Sequence, residues 1–250
     1  RHIQGIFIIE EIIVLNMANL IIDIGNTALK ACWTSGITLG KIFRYQGEGI
    51  VDFILSLTSK EKPQTIVLCS VRNLSPQSIK RISSQCERLV IVNEDILASH
   101  NIPSYISPDR AASIIASRFL FNKRNCTIFD FGTVLTVDFV DAEGQYKGGN
   151  ISPGLRTRFK AVNRYAKSIP LVDVPEETVE TGTDVATSVS SGVISGIMFE
   201  IEGYMSHHPE NINVFTGGDA IYFAKRMKNS IFVVCNLVLM GLALIAVEYD

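Results

Sequence analysis

Two Asp-x-Gly turns, in "LIIDIGNTALK" at 20–30 and "TIFDFGTVLTVDF" at 127–139, carry the residues best equipped for chemistry. In each, an apolar run ends in an acid, Asp23 or Asp130; one residue later comes Gly25 or Gly132, with Thr27 or Thr133 close behind. Glycine lets the chain turn tightly and approach a ligand, so main-chain N–H groups and a threonine hydroxyl can face phosphate oxygens. An acid beside a phosphate repels it unless a cation lies between them. The pair of turns therefore predicts a nucleotide with Mg²⁺ held in a cleft between two halves of the chain. Either turn alone reads as an ordinary hairpin, and only their repetition in register favours phosphate. A third pair, Gly217 and Gly218 in "VFTGGDA", offers a flat backbone surface for adenosine beside a helix start. It reads equally well as a strand-to-helix turn capped by Asp219.

The elements that must position these turns are also written twice. Apolar patterning and Gly or Asn breaks predict strands at 19–24, 28–34 and 37–45, a helix at 49–60, a strand at 64–70, a helix at 75–86 and a strand at 88–93. A Pro-bearing loop then leads to a helix at 109–122. The theme restarts with strands at 126–131, 134–141 and 145–150, a helix from 154 and a long helix at 184–206. A strand at 212–216, a helix at 219–228, a strand at 231–234 and a helix at 236–248 complete it. Three strands followed by alternating helices and strands, repeated, predict an α/β fold of two halves with mixed sheets. The halves are expected at 17–122 and 123–250, with the Asp-x-Gly turn joining the first two strands of each and the two tips facing one another. Residues 1–16 are expected to be a leader or a non-native extension, because Met17 directly precedes the first well-patterned strand.

Bulk properties exclude several classes. The chain has 250 residues, 47% of them hydrophobic, enough for a large core. Its 25 acidic and 23 basic residues give a net charge of −2 without a basic run, which argues against a nucleic-acid partner. Five scattered cysteines support neither a disulfide framework nor a zinc site, and suggest a reduced, cytoplasmic compartment. No membrane span is expected: "GIFIIEEIIVLN" is split by Glu10 and Glu11, and Asn236 divides the apolar stretch 231–247 into strand and helix. His207 and His208 read as a solvent-exposed turn and Trp33 as core. Ser188, Gly192, Ser195 and Gly196 lie at helical spacing that suits close helix packing, in the core or between subunits.

The segments "DIGNTALK", "DFGTVLTVDF", "GGNISPGLRTRFKAV", "TGGDA" and "NLVLMGLALIAVEY", in that order, resemble the type III pantothenate kinase family. The resemblance implies the actin, sugar kinase and Hsp70 fold, two RNase H-like halves with ATP between them. It implies transfer of the γ-phosphoryl of ATP to the primary alcohol of pantothenate, the first step towards coenzyme A, by a homodimer that needs Mg²⁺ and a monovalent cation, K⁺ or NH₄⁺. Matched residue by residue, it gives the first phosphate loop to Asp23, Ile24, Gly25, Asn26, Thr27, Ala28, Leu29 and Lys30. Thr133 would touch ATP, Asp130 would hold the monovalent cation, and Asp23 would meet Mg²⁺ through water. The family's Gly-x-Asp-Arg motif falls on Ser107, Pro108, Asp109 and Arg110, making Asp109 the base and Arg110 a fork onto the pantothenate carboxylate. Tyr105 and Val185 join the substrate side by the same match. Ser107 stands where the family has glycine, Val185 where it has threonine, and the loop 103–109 is shorter than usual. The residues of "SPDR" also read as a plain helix start, with Ser107 as N-cap, Pro108 first in the helix and Asp109 facing the dipole. Rival activities of the same fold are a nucleotide-binding regulator without catalysis and an acetate or sugar kinase.

Overall fold

In the computed structural model, which describes residues 19–250, the first half begins with an antiparallel meander of β1 (Asn19–Ile24), β2 (Leu29–Ser35) and β3 (Thr38–Tyr45). The extension expected over 1–16 lies outside the described residues. After α1 (Ile50–Leu57), β4 (Thr65–Ser70) pairs parallel with β1; after α2 (Pro76–Ser83), β5 (Arg88–Ile91) pairs parallel with β4. The sheet order is β3-β2-β1-β4-β5. Two further helices follow, α3 (Glu94–Ser99) and α4 (Pro108–Leu120).

The second half repeats the plan. Strands β6 (Cys126–Phe131), β7 (Val134–Val140) and β8 (Tyr146–Pro153) form the meander, and α5 (Leu155–Tyr165) and α6 (Val185–His207) follow. Next come β9 (Ile212–Gly217), α7 (Ala220–Ala224), β10 (Phe232–Val233) and α8 (Leu237–Val247). The order β10-β9-β6-β7-β8, with β9 parallel to β6, puts β6 in the place of β1 and β9 in the place of β4. Central strands β1 and β6 are covered on both faces, which is why "NLIIDI" and "CTIFDF" read as near-continuous apolar runs.

Helices α4 and α8 fill the space between the sheets. One core cluster joins Ile21 and Val67 of the first sheet, Ile114 of α4, Ile128 and Val214 of the second sheet, and Leu242 of α8. The apolar stretch 231–247 is therefore a short edge strand and a buried helix, and no helix of the described residues is long and apolar enough to cross a membrane. Although α8 lies late in the second half, it packs on β1 and β4 of the first sheet as well as on α4. Gly241 permits that approach: a Cβ there would sit well inside van der Waals contact of the Ala112 carbonyl of α4. Gly241→Ala should separate the two helices and destabilise the fold by about 1–3 kcal/mol. An unchanged urea midpoint would show that the helices tolerate the methyl group.

Among the departures from expectation, three have a visible cause. Helix α3 was not foreseen, although its signals are local: the Asn93 side chain accepts from the Ile96 N–H at 3.2 Å, and Glu94 and Asp95 fill the first turn. Helix α1 stops at Leu57 because the Thr58 and Ser59 hydroxyls donate to the Leu55 and Ser56 carbonyls, drawing the backbone out of helical bonding. The helix expected over 219–228 shrinks to the five residues of α7. There the Arg226 guanidinium lies 3.5 Å from the centroid of the Tyr222 ring and reaches the Glu176 carbonyl, and the chain leaves the helix.

Candidate active site

The two Asp-x-Gly turns meet tip to tip. The Thr27 and Thr133 hydroxyls are within hydrogen-bonding distance, 3.3 Å, across 106 positions of sequence. Each turn is closed by its glycine N–H, over different spans: Gly25 donates to Ala28 O at 3.0 Å, and Gly132 donates to Val134 O at 3.1 Å in the shorter turn. Asn26, Thr27 and Thr133 are exposed at the tips, and Ala28 and Lys30 are half-buried. Ile24 and Leu29 are buried, so of the first loop only their backbone is free to meet a ligand.

Behind the tips stand the acids. Burial, the like charge of Asp109 and, more weakly, Asp130 raise the Asp23 pKa from 3.8 to about 7, against the opposing pull of Lys30. Burial and Asp109 likewise raise Asp130 to about 6, again with Lys30 opposing and Asp138 adding to the rise. Three carboxylates and one ammonium thus share one field. Asp23 Oδ1 is buried with no hydrogen-bond partner, and the buried Cys69 thiol beside the carboxylate opposes the rise only weakly. The Asp130 carboxylate fits against Gly217, whose φ of +90° and missing Cβ leave the room that the carboxylate occupies, with Phe131 N only 2.7 Å from where a Cβ would lie. An unpartnered buried acceptor and two acids held towards neutrality suit a cation. Among the described residues no group of three or more His, Cys, Asp or Glu could hold a metal unaided. A cation here would need phosphate and water oxygens as well, the usual manner of Mg²⁺ in phosphoryl-transfer sites.

The start of α4 supplies Asp109. Ser107 occupies the N-cap position but makes no capping bond; its hydroxyl donates to Asp109 Oδ1 instead. The Arg110 N–H donates to the same oxygen at 2.9 Å. Asp109 Oδ2 has no hydrogen-bond partner among the described residues. Arg110 is paired within the chain. The fork predicted for a substrate carboxylate is closed on Asp138 of β7, with Nε to Oδ2 at 3.1 Å and Nη2 to Oδ1 at 2.6 Å. The reason is packing: α4 lies against the second sheet, and Arg110 is buried there. Tyr105 and Val185 are exposed, at 72% and 54%, on the loop before α4 and in the first turn of α6. The α6 start is set by a reciprocal Asp184–Thr187 capping box.

Other contributors carry no local sequence signal. The Gly154 N–H donates to Thr133 O at 3.1 Å and the Thr157 hydroxyl to the same carbonyl at 2.6 Å, so α5 starts on the second Asp-x-Gly turn. Arg72, at the end of β4, donates to Asn26 O in the first turn, a location that the parallel pairing of β4 with β1 would have suggested. Asp219 does not cap α7 but accepts from Arg156 at 2.7 Å, beside the Gly217–Gly218 turn.

Two sheets of one topology, joined by helices and bearing opposed Asp-Gly turns over half-buried acids, define the two-lobed fold of the actin, sugar kinase and Hsp70 type. Solved structures agree on that fold: the activator of 2-hydroxyisocaproyl-CoA dehydratase from Clostridium difficile has TM-score 0.56 at 14% identity, covering 92% of this chain and 94% of that one. The ROK hexokinase of Thermus thermophilus has TM-score 0.53 at 13% identity, covering 93% and 99%. A family profile described as type III pantothenate kinase matches residues 19–207. The type III pantothenate kinase of Flavobacterium johnsoniae is 32% identical, covering 90% of this chain and 95% of that one, and that of Phocaeicola vulgatus is 36% identical, covering 90% and 96%. The chain belongs to the type III pantothenate kinase family.

Proposed function

We propose that this protein moves the γ-phosphoryl group of ATP to the primary hydroxyl of pantothenate, giving 4′-phosphopantothenate and ADP at the start of coenzyme A synthesis. The observation that carries the reading is the meeting of Thr27 and Thr133 over Asp23 and Asp130, with Asp109 in the same electrostatic field. The turn N–H groups and threonine hydroxyls, with Lys30, receive the triphosphate. Asp23, through water, and Asp130 would hold Mg²⁺ and K⁺ or NH₄⁺, which when bound offset charge on the phosphates. With Oδ1 held by Ser107 and the Arg110 N–H, Asp109 turns Oδ2 to the substrate alcohol and takes its proton. The alcohol oxygen bonds to the γ-phosphorus as the bond to the leaving ADP oxygen breaks. Val185 and Tyr105 line the substrate side, and the free edge of Arg110 meets the carboxylate.

The halves at 17–122 and 123–250 act as the two lobes, and the enzyme works as a homodimer. An outward face of α6 supports the dimer: a Cβ at Gly192 would meet nothing within 4 Å, and Phe199 is 69% exposed. Four buried free cysteines and one exposed free one support a reduced, cytoplasmic setting. A coupled ADP-release assay with pantothenate, run with and without K⁺, tests the whole reading. Turnover with acetate or a sugar alone would favour those kinases, and tight ATP binding without turnover would favour a regulator.

The raised acids make a pH prediction. Because the folded-state pKa values of Asp23 and Asp130 lie above the ordinary 3.8, the ligand-free fold holds extra protons between about pH 4 and 7 and loses stability as pH rises through that window. Cations bind only the deprotonated acids, so they recover that loss. The melting-temperature gain from ADP, Mg²⁺ and K⁺ together should be larger at pH 8 than at pH 5.5. Equal gains at both would disconnect these acids from the cations.

A further inference from the structure

We propose that Asp138 and Tyr146 are positioning residues, which fix the direction of Arg110 and through it the first turn of α4 that carries Asp109. The inference rests on the proposed reaction for its kinetic arm. Asp138 is 2% exposed and Arg110 8%. Besides the two Arg110 bonds, Asp138 Oδ1 accepts the Tyr146 hydroxyl at 3.0 Å, and Arg110 Nη2 donates to that hydroxyl at 3.1 Å. The triangle closes only because residue 149 has no side chain: a Cβ on Gly149 would lie 2.5 Å from Asp138 Oδ1 and 2.8 Å from the Tyr146 oxygen.

Stability does not explain this arrangement. A buried ion pair is commonly no more stable than apolar residues of the same volume, because desolvation consumes the Coulomb gain. What such a pair does provide is direction, since a guanidinium forked onto a carboxylate has one orientation. Here the fork spans the lobes. Arg110 extends from α4, which follows the first sheet, whereas Asp138 and Tyr146 belong to β7 and β8 of the second. Fixing the guanidinium also fixes the Arg110 main chain, whose N–H holds Asp109 Oδ1. It leaves Nη1 without a hydrogen bond among the described residues, so a substrate carboxylate would receive one donor edge rather than the fork.

Tyr146→Phe removes one hydroxyl and leaves the ion pair. It should raise the KM for pantothenate by about fivefold to tenfold, the equivalent of one hydrogen bond, while leaving the KM for ATP and the melting shift with ADP and Mg²⁺ unchanged. Asp138→Asn should lower kcat as well, and Asp138→Glu should not restore it, because the longer side chain cannot keep the same fork. The arm that needs no turnover is ¹⁵N relaxation of the arginine Nε–H groups. Arg110 should be as rigid as the backbone in the wild type and measurably more mobile in Tyr146→Phe. A mobile Arg110 in the wild type, or folded variants with wild-type kinetics for both substrates, overturns the proposal. A wild type with a rigid Arg110 but no pantothenate turnover would instead overturn the reaction and leave the positioning role standing.

Discussion

Asp109→Asn should lower kcat by about 10²- to 10⁴-fold, the usual contribution of a positioned general base. The substitution is nearly isosteric, and an amide oxygen can still accept the Ser107 hydroxyl and the Arg110 N–H that hold the native side chain. What it cannot do is take the alcohol proton. Stability should not fall, and the reason is electrostatic. Asp109 is the largest charged contributor to the raised pKa values of Asp23 and Asp130, so removing its charge relieves both acids near neutral pH. A melting temperature equal to or above that of the wild type, with ADP binding retained, would accompany the kinetic loss. Turnover within twofold of the wild type would remove Asp109 from the role of base. A plain helix start would also give that result, so this measurement separates the two readings of "SPDR".

Gly154→Ala tests the close packing of α5 on the second Asp-x-Gly turn. Gly154 has an ordinary φ of −72°, so the backbone itself admits alanine. The obstacle is steric: a Cβ there would overlap the Gly132 carbonyl oxygen and lie 2.9 Å from that of Thr133. Neither oxygen belongs to a flexible side chain, so α5 must move away from the turn or the turn must deform. The Gly154 and Thr157 bonds to Thr133 O would break in either case. Overpacking of this kind should destabilise the protein by about 1–3 kcal/mol. It should also weaken ADP binding at least tenfold, measured by calorimetry, because Thr133 would no longer meet Thr27. Gly203→Ala in α6 is the control. A Cβ there meets nothing within 4 Å, and a helix interior gains up to about 1 kcal/mol from alanine. Equal effects at the two sites would show that close approach at Gly154 is irrelevant.

Much of the fold was legible because it is written in local pattern and then repeated. The strand runs of β1 and β6 appear as continuous apolar segments because both faces are covered. The Asn93 cap of α3 was equally local, and was missed only because it sits in a segment dominated by loop residues. By contrast, the helical spacing of "AIYFAKRMK" runs on past Ala224, and nothing within it marks the end of α7. That end comes where Arg226 stacks on Tyr222 and reaches Glu176, 50 positions earlier in the chain.

The sequence by itself determined the two turns, their acids and threonines, and the helix start that carries Asp109, because dihedral preference and hydrogen bonding over a few residues suffice to build them. Only the tertiary structure decided which groups these features meet. Gly154 and Gly203 are the same residue in the sequence, yet one lies against two carbonyls and the other against open space. Arg110 reads as a free fork, yet the packing of α4 on the second sheet gives it Asp138, 28 positions away. Likewise the elevation of Asp23 and Asp130 arises from burial and from the charge of Asp109, 86 and 21 positions away in the sequence. Charge interaction and steric exclusion depend on distance in space, which the order of residues does not state until the two sheets have packed around α4 and α8.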